Sequence, residues 1–346
     1  MPEPNDSRDE DETQDHLPRI PWWLWPHVLS LEAPVVAVLW QAVMARTHRV
    51  AMLPATVAGL ALATWLAYVI DRLFDGANAA PPPSDARHAF YHRHRRVIAG
   101  VCVPAAAAAA AWMALWQIPQ GLMWHGVAIA LLVFMYVASY PARTNHRQVA
   151  GAGGVVGFIV FATIFLLPMP PGTRLQMGTV GVFMMIAGFS RRPETAGRGS
   201  LPKELAGSLL FALGCSASVQ FYSMSEGVGA MSLDIGLLWV VFGMNMCGIS
   251  CAEAGAGIRD PDSAASTWPL LPKLYPWLLV ACIAGCASVM LKAGDFPAKA
   301  GWSAAVAGAA LLLLALVWAA RAKLSPLSYR VLADLALVLP AAAALA

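Results

Sequence analysis

Asp71 and Asp75 stand four residues apart in TWLAYVIDRLFDG, residues 64–76, an apolar run that ends in two carboxylates. On a helix, side chains at i and i+4 share one face with Cβ atoms about 5–6 Å apart, and like charges there repel. Ionised groups at the end of a membrane-grade helix are costly unless something compensates them. A hard divalent cation is the natural compensator, and Mg²⁺ takes one or two protein carboxylates together with phosphate oxygens. The pattern points to Mg²⁺ and a diphosphate held at a membrane face. The competing reading is a helix end with two solvated acids, and spacing alone does not separate the two.

Other charged groups fall in three later stretches. Lys203 lies in SLPKELAGSLLFALG, residues 200–214, where Pro202 suits a helix start. The free N–H groups of that first turn would help Lys203 hold an anion, although Lys203 could instead pair with Glu204 or with lipid headgroups. GISCAEAGAGIRDPD, residues 248–262, offers Glu253, Arg259, Asp260 and Asp262, without a clean D-x-x-x-D register. Between these and the aspartate pair, RHAFYHRHRR, residues 87–96, reads as a basic loop. Such a cluster attracts anionic groups at a membrane surface, or simply marks the cytoplasmic side. Its His88, His92 and His94 lack the thiol or carboxylate partners of a zinc site. Glu32, Asn245 and Asp334 fall inside apolar stretches, where a polar residue either lines a cavity or bonds a neighbouring helix. Asn245 precedes Glu253 by two turns on the same approximate helix face.

The elements that must carry these groups are membrane helices. Of 346 residues 58% are hydrophobic and only 12% charged, and the mean hydropathy is +0.60. A soluble domain carries about 25% charged residues. Residues 1–18 hold seven of the twenty acids and almost no apolar side chains, so they are expected to form a disordered acidic cytoplasmic tail ahead of a membrane domain over 19–346. The start lacks a basic region followed by an apolar core, so no signal peptide is expected. Trp22, Trp23 and Trp25 form an aromatic anchor at the interface.

Apolar runs long enough to cross about 30 Å of hydrocarbon predict eleven spans: 28–45, 51–74, 97–117, 121–140, 149–168, 175–190, 203–221, 231–252, 274–292, 301–320 and 327–345. With the N-terminus inside, fifteen Lys and Arg residues fall in internal loops and five in external ones, in line with the positive-inside rule; only the first loop dissents. Asp71, Asp75, Lys203, Glu253, Asp260 and Asp262 then share the cytoplasmic face. The six cysteines all fall within predicted spans without histidine neighbours and read as packing residues. No nucleic-acid motif or phosphate-binding P-loop is present, and no protein partner is implied.

The segment AYVIDRLFD resembles the first aspartate motif, N-D-x-x-D-x-x-x-D, of the UbiA superfamily of intramembrane prenyltransferases. Asp71 and Asp75 match its last two aspartates with Arg72 between them, while Ala67 and Tyr68 stand where the family has Asn and Asp. Residues 200–214 resemble the basic loop and Leu-Pro helix start of that family, and 248–262 sit where its second aspartate motif belongs. The resemblance implies an all-α polytopic bundle with a UbiA-like core, its eleven helices exceeding the family's nine by a pair placed at 149–168 and 175–190. It implies transfer of a prenyl group from a polyprenyl diphosphate to a lipophilic or aromatic acceptor in the bacterial inner membrane. Mg²⁺ would rest on Asp71 and Asp75 with Asp260 or Asp262; Lys203 and Arg259 would make the other catalytic contacts. Arg72, Asn245 and Glu253 would touch substrate. Two other readings stay open: a non-catalytic carrier of isoprenoid lipids, and a small-molecule transporter.

Overall fold

A backbone in lipid has no water to satisfy its amides, so a spanning segment must be helical or part of a closed barrel. The computed structural model describes residues 21–78, 86–139, 159, 161–169, 171–189, 202–223, 228–258, 260, 263–292 and 298–346. It is all-helical, 88% helix with no strand among the described residues. The principal helices are α1 Glu32–His48, α2 Pro54–Asn78, α3 Ala86–Val97, α4 Val103–Trp116, α5 Gln120–Ser139, α6 Pro171–Phe189, α7 Lys203–Tyr222, α8 Val228–Gly255, α9 Leu271–Leu291, α10 Ala298–Ala320 and α11 Pro326–Leu345. Against eleven expected spans, seven helices among the described residues are long and apolar enough to cross a membrane, or eight if the bent pair before and through α1 is one span. The chain is an integral membrane helical bundle. Much of the expected span 149–168, like the tail 1–18, lies outside the described residues.

The centre of the bundle is α7, α8 and α10, with α1 and α11 packed against them. In the most apolar window of α7 and of α8, 56% of residues are buried, against 6% for the stretch Ala89–Trp116. Lipid is as apolar as leucine, so these inner helices meet through small residues that let backbones approach rather than through a hydrophobic force. Gly248 on α8 is one such point. A Cβ there would run into the Tyr275 hydroxyl and come to 2.9 Å from that of Tyr329. The Tyr275 hydroxyl is itself fixed, donating to the carbonyl of Met244 at 2.8 Å. Gly248→Ala is therefore expected to cost about 1–3 kcal/mol through overpacking, read as a lower melting temperature in detergent. A variant as stable as wild type would show that this contact is loose.

Two departures from the expected spans matter for the site. The sequence predicts one helix over 28–45, whereas the chain breaks between Trp22–Val28 and α1 with a 76° bend. Ser30 takes the left-handed conformation, φ 55°, which ends the first segment. The indole N–H of Trp65 donates to the carbonyl of Leu29 at 3.1 Å, and the Tyr91 hydroxyl donates to Ser30 Oγ at 3.3 Å, pinning the bend.

The sequence also predicts a loop over 87–96, and this is corrected: α3 is helical and continues into α4 through a π-helical turn, Ile98–Cys102. No glycine or proline interrupts Arg87–Arg96. Phe90 and Tyr91 give it an apolar side, which packs on Val69, Trp65 and Leu73 of α2. Pro104 lacks the N–H that an α-helical Gly100 carbonyl would need, which suits the widened turn just before it.

Candidate functional site

Side-chain pairings between helices fix which ends lie together. Arg330 at the start of α11 pairs with Glu253 at the end of α8, and Lys203 at the start of α7 pairs with Asp260 beyond α8. At the opposite end, His48 closes α1 against Asp234 near the start of α8, 2.8 Å apart. Asp234 and Glu253 are nineteen residues apart on one helix, roughly 28 Å at 1.5 Å per residue. The bundle thus has two polar ends, and one carries most of the residues singled out in the sequence.

That end is built in two layers. In the outer layer, Lys203 begins α7 directly after Pro202, whose fixed φ suits the cap position. Its ammonium contacts the Asp260 carboxylate, and Asp71 and Glu204 lie within its electrostatic reach. Asp71 ends the membrane-spanning part of α2 beside Arg72, whose Nη1 is 3.8 Å away. Acids from both halves of the chain therefore act on Lys203, Asp260 by contact and Asp71 through its field.

The segment on the C-terminal side of Asp260 holds it in place. The N–H of Ala264 donates to buried Glu204 at 2.8 Å, and the N–H of Ala265 donates to Ser250 Oγ at 3.1 Å. Ser263 caps the short helix Ala264–Thr267 by accepting from Ser266 N–H. These bonds fasten this stretch to the start of α7 and the end of α8.

The inner layer lies one to two turns deeper. The bend at Ser30 folds His27 back so that its Nδ1 is 3.0 Å from Glu32 Oε1. Asp334, one turn beyond Arg330 on α11, accepts from Asn245 Nδ2 at 3.1 Å. Tyr68 of α2, edge-on to Phe211, lies within electrostatic reach of Asp334, Arg72, Glu32 and Asp71, and so joins the two layers.

Of the residues expected at a site, Asp71, Arg72, Lys203, Asn245, Glu253 and Asp260 lie at this end of the bundle. Glu253 is engaged by Arg330, and Asn245 makes a helix–helix hydrogen bond. The side chain of Asp75, and Arg259 and Asp262 altogether, lie outside the described residues. Sequence reasoning missed three participants. Glu204 enters it only as a partner for Lys203, Arg330 only as a loop charge, and His27 not at all. The spacing of Arg330 and Asp334, four residues apart on one helix face, is the available signal for a polar stripe on α11. Nothing local announces His27, because only the bend brings it back to Glu32.

Lys203 and Arg72 offer cationic donors to an anion, and Asp71 and Asp260 offer carboxylate oxygens of the kind a hard cation takes. Both carboxylates are partly open, 44% and 40% exposed, so they offer oxygen donors without complete dehydration of an incoming ion. Mg²⁺ favours such donors because it gives up its waters reluctantly. Comparison with protein-family models, with curated proteins and with solved structures finds no match to this chain.

Proposed function

We propose that the chain is a UbiA-like intramembrane prenyltransferase that works with Mg²⁺ on a polyprenyl diphosphate and a lipophilic or aromatic acceptor. The observation that carries this reading is the contact of Asp260 with the ammonium of Lys203, with Asp71, from the other half of the chain, within electrostatic reach of the same ammonium. Two carboxylates and one ammonium at the edge of an apolar bundle suit a diphosphate whose tail enters lipid. Asp71 and Asp260 would hold Mg²⁺, whose chemistry there would be to neutralise the charge of a leaving diphosphate.

The protein's own groups then have defined tasks. Lys203 has three donors, so it can keep Asp260 while donating to a phosphate oxygen. Arg72 adds a second cation, and its planar fork suits phosphate oxygens. The Glu204 and Ser250 anchors hold Asp260 in place, so little ordering remains when the anion arrives. Apolar helix faces keep water from the prenyl carbon and receive the acceptor among membrane lipids. The preponderance of basic residues at this end among the described residues supports a cytoplasmic site, with the N-terminus on the same side, and the membrane proposed is a bacterial inner membrane.

A second reading has one observation in its favour. Tyr68 takes the place of a family aspartate and brings a bulky phenol to the inner layer. That substitution favours a protein that binds isoprenoid diphosphates without turning them over. Radiolabelled prenyl transfer by purified protein, with Mg²⁺ and a panel of lipophilic acceptors, separates the two. Transfer that falls by about 100-fold or more in Asp71→Asn is expected for the enzyme, as loss of one group stabilising developing charge typically costs that much. Saturable binding without transfer across the panel would favour the carrier. Neither binding nor transfer would overturn both.

A further inference from the structure

The inner layer has features that a prenyl-diphosphate site does not use. His27, Glu32 and Asp334 bring one ligand atom each to within 4.8 Å of one another. They come from three separate stretches: the segment before the bend, the first turn of α1, and α11. Two carboxylates this close repel unless a positive charge sits between them.

A second observation concerns a side chain bonded to this group. Asn245 is 5% exposed, and its Nδ2 bonds Asp334. Among the described residues its buried Oδ1 has no hydrogen-bond partner, and neither has Glu32 Oε2. An orphaned acceptor of this kind costs about 1–3 kcal/mol, more for a charged group. A purely hydrogen-bonded network would be expected to supply donors to both. A cation answers the carboxylate repulsion and both orphaned oxygens together.

We infer that His27, Glu32, Asp334 and Asn245 form a binding site for a divalent transition metal ion, distinct from the Mg²⁺ and diphosphate groups of the outer layer. The donor set is one imidazole, two carboxylates and an amide oxygen. Imidazole suits zinc and the later first-row ions, while carboxylate and carbonyl oxygens suit manganese, so Mn²⁺ and Zn²⁺ are the fitting probes. Ligand bonds of about 2.1 Å place neighbouring donors roughly 3–3.5 Å apart. The observed 4.8 Å spread closes with side-chain rotations that move each donor by a small part of that distance. The ion clips the bent entry segment to α11, with α8 contributing the amide. Its role is to hold the first helices in register against the bundle.

Metal content by elemental analysis and Mn²⁺ binding by electron paramagnetic resonance test the assignment on full-length protein in detergent. Wild type, stripped with a chelator and refilled with MnCl₂ or ZnCl₂, is expected to retain about one equivalent after desalting in excess Mg²⁺. Asp334→Asn, Glu32→Gln and His27→Gln are each expected to lose at least ten-fold in Mn²⁺ affinity, while Asp71→Asn retains wild-type affinity. The last arm separates this site from the proposed diphosphate site. Should the inner variants fail to fold, the wild-type titration still decides. Less than about 0.2 equivalents of retained Mn²⁺ and Zn²⁺, or metal lost with Asp71→Asn and kept in Asp334→Asn, overturns the inference.

Discussion

His48→Ala is expected to destabilise the bundle by about 3 kcal/mol, because it leaves a carboxylate buried without its partner. The two side chains are 2% and 4% exposed and 2.8 Å apart. Among the described residues the second oxygen of Asp234 lacks a hydrogen-bond partner, so the remaining carboxylate would have very little to hold it. It faces a small cavity shared with Trp40, Val43, Met44 and Ser303, too apolar to replace the imidazole. Unfolding in a detergent-solubilised sample, followed by helical signal, measures the loss. The double variant His48→Leu/Asp234→Leu is expected to recover most of it, since replacing both members of a buried pair is often neutral. A single variant within about 0.5 kcal/mol of wild type would mean that the His48–Asp234 pair does not hold α1 to α8.

Lys203→Met should separate binding from folding at the other end of the bundle. A partly open ion pair such as Lys203 with Asp260 contributes about 0–1 kcal/mol, so the melting temperature without ligand should barely move. A charged hydrogen bond to a phosphate oxygen is worth about 1.5–3 kcal/mol. Binding of Mg²⁺ with a prenyl diphosphate should therefore weaken by roughly 10- to 150-fold. Affinity measured by ligand-induced thermal shift gives the comparison. Equal affinity in both proteins would remove Lys203 from the site.

How much of the bundle is legible in the sequence varies with the range of the interaction. The apolar runs set α2, α7, α8, α9, α10 and α11 to within a few residues, because bilayer thickness dictates helix length directly. The start of α7 at Lys203 is legible from Pro202, a local signal. The break at Ser30 is not, since serine carries no general preference for positive φ and the bend is held by Trp65 and Tyr91 from later helices. The helicity of Arg87–Arg96 is hidden by its charge, which resembles a loop until Phe90 and Tyr91 find α2. Within the site, the gathering of Asp71, Lys203 and Asp260 follows from helix direction and could be expected. The engagement of Glu253 by Arg330 and of Asp334 by Asn245 depends on which helices become neighbours, and a span pattern does not record that choice.

The central claim is that charged groups from both halves of the chain act on one diphosphate. A double-mutant cycle with Asp71→Asn and Lys203→Met tests it most directly. The quantity measured is the stabilisation of the detergent-solubilised protein by Mg²⁺ and a prenyl diphosphate added together, which grows with ligand occupancy. Residues that share one ligand are coupled, and their losses do not add. The expected result is strong stabilisation of wild type, a large loss in each single variant, and a double variant little worse than the weaker single, giving a coupling of at least about 1 kcal/mol. Losses that simply add, or a wild type that does not respond to Mg²⁺ and diphosphate, would contradict a shared site.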